Sequence, residues 1–194
     1  MPYDAMTERS DEDLLAAYAR GEAEAARALT HRFGPLVFGH AARMLGGDRA
    51  EAEDVAQEAL LRLWRAAPGW EPGKAKVSTW LYRVTANLCI DRLRRARSTP
   101  LEAAPEPEDP APGAVAGLQQ KARADALQAA LDDLPERQKQ AVILRHIEGL
   151  GNEEIAAVMD IGARAVESLT ARGKRRLTEL LGGRRAELGY EDDE

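Results

Sequence analysis

The chain has 194 residues, a formal net charge of −6 and 5% aromatic residues, and Ala and Leu predominate over β-branched residues; this composition predicts an all-α protein of one domain or two small ones. The single cysteine, Cys89, excludes a disulfide framework or a cysteine-rich zinc site, and we expect a buried thiol. No apolar run approaches the ~20 residues that cross a bilayer, and the acidic N-terminus lacks a signal-peptide core, so we expect a cytoplasmic protein without membrane insertion.

The first domain, residues 10–97, is predicted to contain five helices. Ser10 or Asp11 suits the N-cap of the first, because a short side-chain oxygen there accepts a bond from a free backbone N–H group. The Gly-Gly pair at 46–47 and the Pro-Gly pair at 68–69 are typical helix stops. The remaining helices are expected over 22–33, over 35–45 with Pro35 in its first turn, over 49–66, and from a cap at Ser78 or Thr79 through Arg95.

The fourth predicted helix has two contrasting faces. Its core stripe follows helical spacing and consists of Ala56, Leu60, Leu63 and Ala67. A leucine among hydrogen-bond acceptors on the opposite face suits docking to a basic partner helix, whereas acidic helix faces are usually only solvated. Both interpretations stay open for this opposite face, which comprises Asp54, Gln57, Glu58 and Leu61.

The fifth predicted helix and the loop before it combine aromatic, basic and amide side chains. Stacking rings beside cations and an amide are what binding of single-stranded DNA needs. The alternative for Trp80 is a place in the core, and Asp91 is expected to pair with Arg94 or Arg95 along the helix. The candidate residues are Trp70, Lys74, Lys76, Trp80, Arg83 and Asn87 for the single strand, with phosphate contacts from Arg92, Arg94 and Arg95.

A proline-rich acidic linker is predicted between the two domains. Residues 98–117 contain five of the ten prolines, four acidic side chains and no basic ones, and such proline spacing favours extended chain. One interpretation is a solvated tether, and the other is an acidic strand that occupies a nucleic-acid channel of a partner. The polar tail, residues 184–194, ends in four acids, so much of the negative charge lies outside the predicted domains.

The second domain, residues 118–183, is predicted to be a four-helix domain with a helix-turn-helix. Pro135 gives an N1 signal for the second of its helices, and glycines at 149 and 182–183 give stops. The helices are expected over 119–132, 135–148, 152–159 and 163–181.

The last two of these helices form the helix-turn-helix pattern. Small Ala156 permits a close helix crossing, Gly162 suits a tight turn, and Val166 and Leu169 face inward. The second helix of such a pair can enter a DNA major groove. Seven basic against two acidic side chains between 164 and 185 indicate that this segment binds a polyanion.

Several motifs in one order resemble the bacterial RNA polymerase sigma factors. The motifs are AEDVAQEALLRLW, STWLYRVTANLCIDRLRR, the Pro/acid linker, and LPERQKQAVILRHIEGLGNEEIAAVM with the helix that follows. The size and two-domain plan are similar to the extracytoplasmic-function (ECF) group of the sigma-70 family. This resemblance implies a DNA-binding, non-catalytic factor that directs core RNA polymerase to the promoters of a stress or envelope-signal regulon.

The resemblance also implies roles for individual residues. In the family, the D-x-x-Q-E helix binds the coiled coil of the polymerase β′ subunit, and Asp54, Gln57 and Glu58 match it here. In the family, the loop and helix around W-L-Y-R-x-x-x-N melt the minus-ten element and capture a non-template base, and Trp80, Arg83 and Asn87 match here. The linker of such proteins runs toward the RNA exit path. The second domain lies at the β flap and reads the minus-thirty-five duplex, here through Arg164, Glu167, Ser168, Ala171, Arg172 and Arg175.

The resemblance further implies an anti-sigma protein as a partner, and we expect a monomer in the free state and no metal or cofactor. Glu167 departs from the lysine or arginine of many family members, and either accepts a hydrogen bond from a cytosine N4 group or repels phosphate.

Two other functions compete with the interpretation as a sigma factor. One is a stand-alone duplex-binding regulator, and the other is an enzyme with a carboxylate metal site on Glu51, Glu53, Asp54 and Glu58, which the scattered histidines disfavour.

Overall fold

The computed structural model describes residues 9–98 and 115–182, without the side chains of 115–118, and within those ranges it contains helices and no strand. The predicted all-α class is confirmed. None of the helices in these ranges is long and apolar enough to cross a bilayer. The helices are α1 (Asp11–Ala19), α2 (Ala23–Met44), α3 (Arg49–Ala66), α4 (Val77–Ser98), α5 (Val115–Asp132), α6 (Glu136–Val142), α7 (Asn152–Met159) and α8 (Ala163–Gly182).

Side-chain caps begin two helices of the first domain, and the one at Ser10 was predicted. Ser10 Oγ accepts the backbone N–H of Asp13 at 3.1 Å, and Asp48 Oδ1 accepts that of Glu51 at 3.0 Å. Each cap satisfies a backbone donor that the first turn of a helix leaves without an intrahelical partner. The helix after Asp48 has the predicted bounds, 49–66.

The predicted break at Pro35 is wrong, because α2 runs without interruption from Ala23 to Met44. A proline disfavours helix in the residue before it, in part through a clash with that residue's Cβ atom. The preceding residue here is Gly34, which has no Cβ. Buried side chains on both sides of the proline, among them Phe33 and Val37, also hold the two halves of the helix against one core.

The start of α4 is also corrected. We expected a cap at Ser78 or Thr79, but the helix begins at Val77, and the N–H of Trp80 donates to the carbonyl of Lys76 at 3.1 Å. Val77 is buried in the core of the first domain, and this burial favours a helix start ahead of the two hydroxyl residues.

The first helix of the second domain, α5, begins at Val115, four residues before its predicted start at 119. The prolines of the predicted linker end at 112, so none of them prevents this start. The prediction of an extended linker falls on residues of which 99–114 lie outside the described ranges, and the predicted tail lies outside them as well. The four predicted helices of this domain are confirmed.

The second of these helices deviates from α-helical geometry at its end. α6 passes into a π-helical turn, Ile143–Ile147, and the N–H of Glu148 donates to the carbonyl of Ile143 at 3.0 Å. Pro135 precedes this helix at the N-cap and not at N1 as predicted. The wider turn matters for the site described below, because Glu148 follows it directly.

The two domains share part of their cores. One buried cluster belongs to the first domain alone and includes Leu14, Leu29 and Leu63. Two further clusters combine residues of both domains. One joins Met44, Val55 and Cys89 to Leu131, Leu134, Val142 and Ile143, and the other joins Tyr82 to Ala141, Leu144, Leu150, Ile155 and Val166.

The second domain also caps the end of α2. Lys139 Nζ donates to the carbonyl of Met44 at 2.8 Å, and the side-chain amide of Gln128 donates to that of Arg43 at 3.1 Å. The last carbonyls of a helix have no intrahelical partner, and lysine near them is favourable. A buried lysine of one domain therefore satisfies a helix end of the other.

The turn of the helix-turn-helix is made differently from our expectation. Its left-handed residue is Asp160, with φ 55°, and not Gly162. The carbonyl of Gly162 accepts the N–H groups of Ala165 and Val166, so this glycine precedes the first turn of α8. Asp160 tolerates the left-handed conformation because short polar side chains do so more readily than others.

Candidate polymerase and nucleic-acid interfaces

The acidic face of α3 is open to solvent in the described structure. Asp54, Gln57 and Leu61 are exposed and Glu58 is half-buried. Leu61 shows 46% of its surface, which is unusual for a large apolar side chain beside carboxylates. Arg62 bonds Glu58 at 2.8 Å and lowers the pKa of that carboxyl, so Glu58 is charged at neutral pH. The four predicted docking residues lie together on one face.

Arg92 of α4 lies against α3. Its guanidinium bonds the carboxylate of Glu51 and lies 3.9 Å from that of Asp54. Arg94 pairs with Asp91 at 3.7 Å, which confirms that predicted helix pair. The predicted phosphate contacts of Arg92, Arg94 and Arg95 stay a prediction, but Arg92 already has carboxylate partners on the docking helix.

The aromatic side chains before and within α4 pack together. The rings of Trp70 and Trp80 meet edge to face with centroids 5.9 Å apart, a favourable geometry for aromatic pairs. Both are half-buried and pack against the core of the first domain. Trp80 therefore packs in part on the core, as one alternative predicted, while the rest of its ring stays accessible and its contact with DNA stays a prediction.

Lys74, Lys76, Arg83 and Asn87 are exposed around these rings. We call the six residues Trp70, Lys74, Lys76, Trp80, Arg83 and Asn87 the minus-ten face. Three of them lie on α4 at helical spacing and three in the loop before it, and the resemblance assigns all six to the minus-ten strand.

The second domain contacts this face with acidic side chains. Glu154 Oε1 lies 2.7 Å from Lys76 Nζ, and Asp160 Oδ2 lies 3.5 Å from the Arg83 guanidinium. Lys76, with the backbone N–H of Gly151, lowers the pKa of Glu154. Asn87 lines a groove whose other wall includes Met159 and Asp160.

Glu148 is the most enclosed acid at the contact between the domains. Its carboxylate accepts the Tyr82 hydroxyl at 2.9 Å and an Arg43 N–H at 3.2 Å, and the His40 ring lies 3.8 Å away. Burial by itself raises the pKa of this carboxyl, but His40, Tyr82 and Arg43 more than offset burial and lower the pKa below its ordinary value. Burial and the neighbouring carboxylate raise the pKa of Tyr82. Glu148 is therefore ionised and hydrogen-bonded at neutral pH.

The outer face of α8 is free of the first domain in the described structure. Val166 is fully buried and Leu169 half-buried, as predicted for the inward side. The side-chain amide of Asn152 on α7 donates to Glu167 at 3.3 Å. The predicted minus-thirty-five residues are all exposed, namely Arg164, Glu167, Ser168, Ala171, Arg172 and Arg175.

Comparisons with known proteins agree with this arrangement. The family model "Sigma-70 region 2" matches residues 29–99, and "Sigma-70, region 4" matches 124–177. The ECF RNA polymerase sigma factor SigM of Mycobacterium tuberculosis is 37% identical over 175 residues, which cover 90% of this chain and 86% of SigM. The chain belongs to the ECF sigma factors of the sigma-70 family.

Two further proteins support this membership. The ECF sigma factor SigE of Mycolicibacterium smegmatis is 38% identical over 142 residues, 71% of this chain, although this chain spans about half of SigE (54%). The structure of CnrH in complex with the cytosolic domain of CnrY superposes with a TM-score of 0.67 at 27% identity, covering 90% of this chain and 99% of that one. The sigma factor described here is thus a transcription initiation factor and not an enzyme.

Sequence reasoning missed the residues that join the two domains of this sigma factor. Tyr82 and Glu148 had no predicted role, and Lys139 was not expected to be buried. No local pattern marked Lys139, because it lies in the polar stretch 136–140, and the structure nevertheless buries it together with Gln140. Buried polar groups need partners. Lys139 Nζ bonds Asp132 Oδ1 of its own domain at 2.5 Å and the carbonyl of Met44 in the first domain at 2.8 Å.

Cys89 lies in the shared core of this sigma factor and is fully buried, as predicted. Burial raises the pKa of its thiol to about 12. A thiol is reactive only as the thiolate, so Cys89 is a packing residue.

Proposed function

We propose that this sigma factor carries core RNA polymerase to its promoters by dividing the contacts between its two domains. The first domain anchors the polymerase and captures the melted strand, while the second reads duplex DNA. The observation that carries this proposal is the minus-ten face, because a regulator that binds only duplex DNA has no use for Trp80, Arg83 and Asn87 on one helix face.

The acidic face of α3 is the proposed anchor on the β′ coiled coil. Asp54, Gln57 and Glu58 supply acceptors for a basic partner helix, and exposed Leu61 supplies apolar area at its edge. Charge complementarity speeds and orients such docking. We propose that Arg92 keeps the Asp54 side of this face in position through its bonds to α3.

The minus-ten face is proposed to hold the non-template strand after melting. The accessible part of Trp80 offers a stacking surface, Lys74, Lys76 and Arg83 balance phosphate charge, and Asn87 reads the edge of a base. Base capture of this kind needs a single strand, which polymerase opening supplies.

The second domain is proposed to lie by the β flap and to place α8 in the major groove of the minus-thirty-five duplex. Arg164, Arg172 and Arg175 supply phosphate or base contacts along the exposed face of this helix. Each domain binds DNA weakly alone, and attachment to one polymerase raises the effective concentration of the second contact.

The wider setting of this function is also a proposal. The acidic segment 98–117 would run toward the RNA exit path, and the protein would act in the cytoplasm as a free monomer until a polymerase binds it. Because the family resemblance implies an anti-sigma protein, we expect one to hold this chain inactive until an envelope or stress signal arrives. The similar protein CnrH was likewise solved with a partner, the cytosolic domain of CnrY.

Asn87→Ala tests the role of the minus-ten face. Once start sites have been mapped after overexpression, open-complex formation on such a promoter should fall by about 5- to 150-fold, because one specific base contact contributes about 1–3 kcal/mol. Binding to core polymerase should not change. Permanganate footprinting measures opening, and a pull-down measures core binding.

The matched control is Gln120→Ala, which removes an exposed amide from α5 and should alter neither measurement. Equal loss of core binding and opening in Asn87→Ala would contradict the assignment of this residue to the strand.

A further inference from the structure

A hydrogen bond ties the first helix of the chain to the loop that precedes α4. Glu12 of α1 accepts the backbone N–H of Gly73 at Oε1, at 3.0 Å and across 61 positions of the sequence. Gly73 lies in the middle of the loop 70–76, which supplies three of the six residues of the minus-ten face. A side chain with no predicted role in DNA binding therefore holds the backbone of this loop.

The contacts within the loop hold its conformation only weakly. The N–H of Lys74 donates to the carbonyl of Glu71 at 3.3 Å, and the side chains of the same two residues pair at 3.0 Å. Exposed ion pairs of this kind contribute little to stability. Gly73 has φ 77°, and glycine adopts this conformation about as readily as many others. The bond from Glu12 therefore selects one conformation of a turn that has several within reach.

α1 is a firm support for this bond. Leu14 is fully buried in the core of the first domain, and the helix packs against the short 3-10 helix Ala67–Gly69, from which the loop starts. At the beginning of α1, the guanidinium of Arg32 from α2 bonds the carboxylate of Asp11. Glu12 is the next residue, so its carboxylate extends from a helical turn that is itself fixed to the core.

We propose that Glu12 is a positioning residue for the minus-ten strand, and that its bond to Gly73 presents Trp70, Lys74 and Lys76 together to the DNA. The proposal rests on the proposed function of the minus-ten face. A loop that is ordered before the strand arrives loses less conformational freedom on binding, and affinity rises accordingly. Glu12 acts through the loop backbone and does not itself contact DNA.

The charge of Glu12 and its hydrogen bond have opposite effects on a bound strand, and this difference makes the test sharp. A carboxylate near phosphates repels them, so removal of the charge alone would strengthen strand capture. Removal of the bond to Gly73 should weaken it. Glu12→Gln removes the charge and keeps an oxygen that can accept the N–H, whereas Glu12→Asp keeps the charge on a side chain one methylene shorter. Glu12→Ala removes both.

The experiment uses the full chain with core polymerase on a promoter whose start site has been mapped. Permanganate footprinting should show open-complex formation reduced about fivefold in Glu12→Ala and at least as far in Glu12→Asp, which is the size of one net hydrogen bond. Glu12→Gln should open the promoter at least as well as the wild type. Core binding in a pull-down should not change. The control Glu24→Ala, which removes an exposed acid from α2, should alter neither measurement.

Hydrogen exchange of the free chain, read by mass spectrometry, tests the physical cause. Exchange in residues 71–76 should be faster in Glu12→Ala and Glu12→Asp, and should stay at the wild-type rate in Glu12→Gln. Circular dichroism checks folding, and if Glu12→Ala unfolds, Glu12→Asp decides, because an acid in the first turn favours the helix.

Opening at or above the wild-type level in Glu12→Ala and Glu12→Asp would overturn the proposal, and so would an equal loss in Glu12→Gln. Reduced opening with unchanged exchange in the loop would also contradict it, because the loop would then not be the cause. Failure of the proposed function would look different, since the wild-type chain itself would direct no promoter opening, and the proposal would fall with it.

Discussion

The two domains of this sigma factor bury their apolar residues in different ways. The first domain contains a cluster made only of its own side chains, with Leu14, Leu29 and Leu63 fully buried. The buried residues of the second domain divide between two clusters that both include first-domain side chains. The first domain therefore has a core of its own, whereas the second packs much of its core against its neighbour.

The proposed interaction surfaces also differ in how far they are exposed. The docking face of α3 and the outer face of α8 are exposed, while the minus-ten face is covered by Glu154 and Asp160. On the proposed assignments, the surface for the single strand is therefore covered by the second domain and the surface for duplex DNA is exposed.

Two core substitutions have the largest expected effects and test whether the cores of the two domains are coupled. Leu29→Ala and Ile143→Ala each remove a fully buried side chain, and each should cost about 2–5 kcal/mol of unfolding free energy. Leu29→Ala should speed hydrogen exchange in α1 and α2 without a local effect on α6. Ile143→Ala should speed exchange in α6 and also at the Met44 end of α2, because Ile143 and Met44 share a cluster.

Hydrogen exchange read by mass spectrometry measures both effects, with thermal unfolding beside it. Faster exchange confined to the second domain in Ile143→Ala would show that the two cores are independent, contrary to the comparison.

Gly173→Ala tests how closely α8 must approach α6. A Cβ atom at this buried glycine would lie 2.5 Å from Val142 Cγ2 and 3.3 Å from the carbonyl oxygen of Gln138. Overpacking of this kind costs about 1–3 kcal/mol, and the midpoint of urea unfolding should fall accordingly. Gly182→Ala at the end of the same helix meets nothing within 4 Å and is the control. A wild-type midpoint in Gly173→Ala would mean that the helices have room to separate.

Arg172→Ala gives the smallest expected effect and tests whether the outer face of α8 is available in the free chain. Loss of one phosphate contact should make duplex binding less dependent on salt. The slope of log Kd against log salt concentration should fall by about one unit. Titration of a mixed-sequence duplex at several salt concentrations measures it. Lys121→Ala, an exposed cation on α5, should leave the slope unchanged. An unaltered slope in Arg172→Ala would contradict the open face.

Helix positions within each domain followed from local chemistry. The caps at Ser10 and Asp48, the glycine stops and the inward Val166 could all be predicted, because each depends on neighbours a few residues away. The break expected at Pro35 was wrong for two reasons. Gly34 has no Cβ atom to clash with the proline ring, and buried side chains on both sides of the proline hold the helix against the core.

The contact between the domains could not be predicted from the sequence. Glu148 and Tyr82 are 66 positions apart, and neither has a local pattern that identifies the other. The proposed docking and DNA residues were assigned through motif order, but the contacts of Glu154 and Asp160 with Lys76 and Arg83 depend on how two separately patterned domains pack. Pairing over such distances is set by the whole core and not by spacing.

The central claim is that this chain reads promoters only as part of the polymerase. The most direct measurement is run-off transcription by purified bacterial core polymerase on a library of upstream fragments, with wild-type chain, with Asp54→Ala/Glu58→Ala, and without the chain. We expect discrete start sites that appear with the wild type and are lost or much weaker with the double variant, while Glu24→Ala/Asp133→Ala behaves as wild type. Identical transcripts with and without the wild-type chain would contradict the account.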